Sequence, residues 1–118
     1  MDVRIISKSN TLLCPASKLG DDDKTTHTAF LEILSFAGTD GYKEFFRKVG
    51  KKWMELGGVP HWCKQWTFLE KNGIFQHVRD YYGQNLKRFK EIFTTLNSDG
   101  DGYSEIFVNS TMKKLLEL

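Results

Sequence analysis

Gly41-Tyr42-Lys43-Glu44-Phe45-Phe46-Arg47-Lys48-Val49-Gly50-Lys51-Lys52-Trp53-Met54-Glu55-Leu56-Gly57-Gly58 carries the clearest periodicity in the chain. Tyr42, Phe45, Phe46, Val49, Trp53 and Leu56 recur at helical spacing and form one apolar stripe. Lys43, Glu44, Arg47, Lys48, Lys51 and Lys52 fill the opposite face, with the bases toward the C-terminal half, where the helix dipole favours them. Thr39 or Asp40 is placed to cap the free amides at the start, and Gly57-Gly58 to supply a left-handed stop. This is an amphipathic helix whose basic residues read as a solvated face.

On its N-terminal side the pattern changes to strand. Val3 to Ile6 is β-branched around one arginine, which predicts a strand. Ser7 to Lys24 holds Pro15, Gly20 and the acidic run Asp21-Asp22-Asp23, and reads as a long loop. His27 to Phe36 is a dense apolar run broken by Glu32 and bounded by Gly38, read as a second strand. Downstream, Gly57 to Phe68 is irregular. A helix starting near Asn72-Gly73 carries Ile74, Val78 and Tyr81, and Gly83 separates it from another carrying Leu86, Phe89, Phe93 and Leu96. A Gly/Asp-rich turn, Asn97 to Gly102, leads to Ile106-Phe107-Val108, a short third strand, and Thr111 to Leu118 closes as a helix. The fold class is therefore α+β, a small antiparallel sheet packed by about four helices in a single domain over residues 1–118. So few strands make a marginal sheet alone, and a first strand at the very start of the chain leaves an unpaired edge.

Composition narrows the function classes. Hydrophobic residues make up 40% and aromatics 14%, which suits a folded core and not a disordered chain. The net charge is +2 with acids and bases interspersed, so no basic patch argues for nucleic acid. No apolar run approaches the ~18 residues of a membrane span, and Met1-Asp2-Val3-Arg4 does not begin a signal peptide. The expected location is cytoplasmic. Cys14 and Cys63 are too few for a disulfide scaffold or a zinc site and read as reduced thiols.

The chemistry-bearing stretch is Pro60-His61-Trp62-Cys63-Lys64. With the next two residues it sets a histidine, a lysine and two aromatics, Trp62 and Trp66, within seven residues on a non-helical segment just after a helix stop, where functional residues concentrate. A turn at Cys63 would bring His61 and Lys64 to one pocket. There Lys64, lying between aromatics, could hold or polarise an anionic oxygen. The simpler alternative is a His61 bonded to a backbone carbonyl and a solvated Lys64.

These residues also carry a resemblance. Gly58-Val59-Pro60-His61-Trp62-Cys63-Lys64 resembles the Gly-x-Pro-His-Trp-x-Lys signature of the sugar-1,4-lactone and alditol oxidases, the flavin family that includes D-arabinono-1,4-lactone oxidase and L-gulonolactone oxidase. Asp2-Val3-Arg4 resembles the family's acidic-x-Arg strand, and His27 to Ile33 sits where a later strand of the substrate sheet should run. Tyr82-Gly83-x-Asn85-Leu86-x-x-Phe89-x-x-Ile92, then Asn97-Ser98-Asp99-Gly100 and Phe107-x-Asn109, resembles the closing motif. The resemblance spans nearly the whole chain and implies the C-terminal part of a flavin-oxidase substrate (cap) domain. It implies hydride transfer from a sugar lactone or alditol to FAD, with the electrons passed to oxygen. In that scheme Lys64 and Arg4 orient substrate hydroxyls and stabilise the developing alkoxide, and His61 hydrogen-bonds in the same cavity. His27 and Trp62 are further candidates for the substrate wall.

The departures are specific. Asp2 is one methylene shorter than the family's Glu, Ser98 replaces a Pro, and Asp101 to Glu105 is an insertion. The family's Gly/Ser-rich pyrophosphate loop and flavin-linked histidine have no counterpart here, so a flavin-domain partner chain would have to supply FAD. Two other readings stay open. One is a non-catalytic docking module or split-gene fragment that uses the exposed strand edge. The other is a degenerate EF-hand over Asn97 to Val108, in which Asp99, Asp101 and Gly102 match loop positions but Val108 stands where the bidentate carboxylate belongs.

Overall fold

The computed structural model describes residues 1–18, 24–36, 38–97 and 108–118. Strand β1, Asp2–Ser7, pairs antiparallel with β2, His27–Glu32, from Asp2↔Glu32 to Ser7↔His27. Strand β2 ends at Glu32, the partner of Asp2, and not at Phe36 as the apolar run suggests. Successive side chains alternate across the sheet. Asp2, Arg4, Phe30 and Glu32 therefore share one face, and Val3, Ile5, His27, Ala29 and Leu31 the other. The second face is open to solvent, with Ile5 70% exposed.

Helix α1 spans Tyr42–Glu55. Its N-cap is Gly41 in the left-handed region, without a side-chain cap, which corrects the expectation for Thr39 or Asp40. Thr39 instead turns its hydroxyl back to the Phe36 carbonyl at 2.9 Å. At the other end the glycine stop holds. Gly57 (φ 80°) donates to the Met54 carbonyl and Gly58 to that of Trp53, the paired bonds of a Schellman motif. The apolar stripe is only half covered, and no α1 residue is buried. A 3-10 turn, Thr67–Asn72, packs on the helix where Gly50 lets Leu69 approach; a Cβ there would meet the Leu69 Cδ1 at 2.8 Å.

The core lies further along the chain. Helix α2, Ile74–Asn97, is broken at Gly83, whose φ 43° and ψ −117° are non-helical, so it consists of two helical segments that meet where the sequence predicts the separation. Ile74, Val78, Tyr82 and Leu86 repeat every fourth residue along its inner face. Tyr82, 2% exposed, is the buried tyrosine there, and Tyr81, the residue read as part of the stripe, is only half buried. Helix α3, Ser110–Leu116, is capped by the Asn109 side chain accepting from the Met112 amide at 2.9 Å. It adds Leu115 and Leu116 to a cluster with Trp66, Leu69, Ile74, Phe75, Val78, Tyr82 and Leu86.

Among the described residues, two strands and four helical elements make the α+β arrangement expected from the sequence. Ile106-Phe107, most of the Asn97–Gly102 turn and the EF-hand-like segment lie outside the described residues. Val108, just after them, is buried.

Candidate substrate-facing site

The stretch that follows the Schellman stop folds as a tight turn. The Lys64 amide donates to the His61 carbonyl at 3.0 Å, closing a four-residue loop, and the Cys63 amide donates to His61 Nδ1 at 3.2 Å. Proline at position 60 pre-sets the entering backbone. His61 and Lys64 occupy the first and last positions of this turn and both are exposed. Trp62, between them, goes the other way. Its indole lies 5.0 Å from the Tyr82 ring, and its Nε1 donates to the Leu13 carbonyl at 2.7 Å. Behind the turn, His77 of α2 donates through Nε2 to the Gly58 carbonyl at 2.9 Å. The turn is thus fixed from the core side at two points.

On its outer side the turn meets the sheet. Lys64 Nζ donates to Glu32 Oε1 at 2.7 Å, and Arg4 Nη2 donates to Glu32 Oε2 at 3.3 Å. Arg4 Nε also donates to Asp2 at 2.8 Å, so four charges alternate in a row, Asp2, Arg4, Glu32, Lys64. His61 completes the group, its ring 6.2 Å from that of Phe30, the residue paired with Arg4 in the register. The Lys64 ammonium, first by hydrogen bond and then by charge, holds the Glu32 carboxyl below the usual carboxylate range, with a smaller contribution from Arg4. Asp2, chiefly by hydrogen bond, raises the Arg4 guanidinium above its ordinary value.

Arg4, His61 and Lys64 are therefore brought together, 57 to 60 residues apart in sequence, on one side of the sheet. They form an open face and not an enclosed cavity. Two clefts run elsewhere, one between α2 and α3 and one beside Trp62 and Trp66, and none of the three lines either. His27 is not part of the group. It falls on the opposite sheet face, at the far end of the register, with its Nδ1 2.7 Å from the Thr26 hydroxyl. Trp62 anchors the turn from within and does not stand beside the charges.

Two residues escaped the sequence reading, and a third entered it only within the closing motif. Glu32 registered only as a break in an apolar run, although an acid inside a strand is itself a signal of a polar partner. His77 stands on a helix with no motif around it to single it out. Tyr82 is the third, and its phenol stands well above the ordinary tyrosine value, because burial disfavours the charged form and Tyr81 lies near. Among the described residues no partner meets hydrogen-bond geometry at its hydroxyl, and the Trp62 indole N–H donates to the Leu13 carbonyl.

Compared with known proteins, residues 1–115 match the family described as D-arabinono-1,4-lactone oxidase. The chain belongs to that family. No curated protein and no solved structure gives a significant match. D-arabinono-1,4-lactone oxidases are generally FAD-dependent. The described residues do not fit a flavin's pyrophosphate: Gly38, Gly41, Gly57, Gly73 and Gly83 serve singly at backbone positions with positive φ, and Gly50 and Gly58 sit against Leu69 and Trp53. Among the described residues no glycine-rich loop is left to cradle it. Nor do the described residues bring together three or more His, Cys, Asp or Glu as a metal site. Among them, no helix is long and apolar enough to cross a membrane.

Proposed function

We propose that this chain supplies the substrate-facing side of an FAD-dependent sugar-lactone oxidase. The observation that supports it most is the meeting of Arg4, from a strand, and Lys64, from a turn, on the two oxygens of Glu32. A sugar lactone presents ring and hydroxyl oxygens that need donors at a fixed spacing. Lysine carries three N–H donors and arginine five, so the bonds to Asp2 and Glu32 leave several on each for a bound ligand.

The roles follow from charge. Lys64 and Arg4 hold substrate oxygens and favour the oxygen that becomes negative when the neighbouring C–H bond breaks. His61, with Nδ1 already accepting from Cys63, presents its other ring nitrogen outward beside Phe30. The apolar ring of Phe30 gives the sugar a flat surface next to the donors. An alditol could use the same donors.

The test is a binding titration. The isotope-labelled chain is titrated with D-arabinono-1,4-lactone and followed by NMR at Arg4, His61 and Lys64. Lys64→Ala should weaken binding about tenfold, the worth of a hydrogen bond from a charged donor, with the melting temperature unchanged. Parallel losses of binding and stability would assign Lys64 a packing role.

One observation favours a second reading. Val3, Ile5 and Leu31 form an exposed apolar sheet face, as a docking module would. A chain that ignores the lactone but forms a defined complex through Val3, Ile5 and Leu31 would establish that reading.

A further inference from the structure

We infer that Glu32 is the positioning residue of this site: one carboxylate that fixes the two cations, Arg4 and Lys64, at a set separation. The inference deepens the lactone-facing reading and rests on it. Glu32 reaches neither the core nor a helix end. Its two oxygens are divided between two segments, Oε1 to Lys64 and Oε2 to Arg4. Both cations are long, flexible and exposed, 63% for Lys64 and 65% for Arg4, while the Glu32 side chain is 27% exposed. The least mobile member of the set is therefore the carboxylate.

Its place is set by the sheet. Glu32 lies across from Asp2 in the register, on the same face as Arg4, so the pairing of β1 with β2 puts the acid beside the guanidinium. Asp2 then holds the guanidinium from the other side, which leaves Glu32 as the carboxylate that links it to Lys64. An isolated exposed ion pair contributes little to stability. What Glu32 provides is direction. Without it two cations would repel each other and sample many rotamers, and the ordering would have to occur at binding. With it, the row of alternating charge presents donors on either side of one acceptor, a spacing suited to adjacent hydroxyl groups.

The experiment compares the chain with its Glu32→Gln variant, which keeps the shape and removes the charge. The first arm labels lysines briefly with an amine-acylating reagent and reads each site by mass spectrometry. Lys48, paired with Glu44 on α1, serves as the internal standard. Glu32→Gln should raise labelling of Lys64 relative to Lys48 by about two- to fivefold, the range of an exposed ion pair, with melting unchanged. An unchanged ratio would overturn the inference. The second arm repeats the lactone titration followed by NMR. Binding by the parent chain that is lost in Glu32→Gln supports positioning for this ligand, and equal binding by both overturns it while leaving the lactone reading intact. Absence of binding by both removes the lactone reading alone, and the labelling ratio still decides whether Glu32 holds the cations. Restored protection of Lys64 in Glu32→Asp would show that a carboxylate, and not the longer side chain, is what the site requires.

Discussion

Glu32 concentrates the electrostatics of the site in one group. Its carboxyl is held below its ordinary value, ~4.3, mainly by the Lys64 hydrogen bond. A group with a depressed folded pKa contributes stability that is fully present above the unfolded value and is lost as pH falls through the folded one. The Glu32 contacts should therefore persist at neutral and mildly acid pH and dissolve only below the ordinary carboxylate range. Titration of the Glu32 side-chain carboxyl by NMR checks this, with a midpoint under the ordinary value expected in the parent and a higher one in Lys64→Ala. A midpoint at or above the ordinary value would mean that Lys64 does not reach the acid in solution. Trp62 shows the complementary case, a residue inside the signature that faces inward, between Leu13 and Tyr82.

Among the elements, α2 is the most informative. Its break at Gly83 has a positive φ with a strongly negative ψ, a conformation that side chains with a Cβ adopt only under strain. Gly83→Ala should cost about 1–3 kcal/mol in a denaturant titration, although a Cβ there would touch nothing. A neutral result would show that the kink straightens without loss. The break was legible beforehand, since Gly83 interrupts two apolar stripes, and so were the glycine stop after α1 and the two paired strands. The exit of β2 at Glu32 was not, because the apolar run continues through Ile33 and Leu34 and no local signal marks the end of the pairing. The start of α1 was misread for a similar reason. Thr39 has the right chemistry to cap a helix but is already engaged with Phe36, and a left-handed glycine does the work of entry. In the site, His61 and Lys64 followed from the turn, whereas Glu32 depended on strand register, which no local pattern carries. His27 was placed correctly in β2, but the parity of the pairing sends it to the other face.

At the scale of the whole molecule the described residues divide into an open part and a packed part. Every residue of β1 is exposed and no residue of α1 is buried, whereas α2 and α3 share the core cluster. Hydrogen exchange should divide the molecule accordingly, with slow amides over Ile74–Leu86 in the core helix and fast ones in β1 and β2, since a two-stranded pair is marginal alone. Uniform protection would mean that the sheet and helices unfold as one unit. The row of charges from Asp2 to Lys64 crosses this divide, with one cation on the weakly held hairpin and the other on a turn pinned to the helices. On the lactone-facing proposal, warming should abolish binding while most of the ellipticity survives, because such a site is only as durable as its looser half.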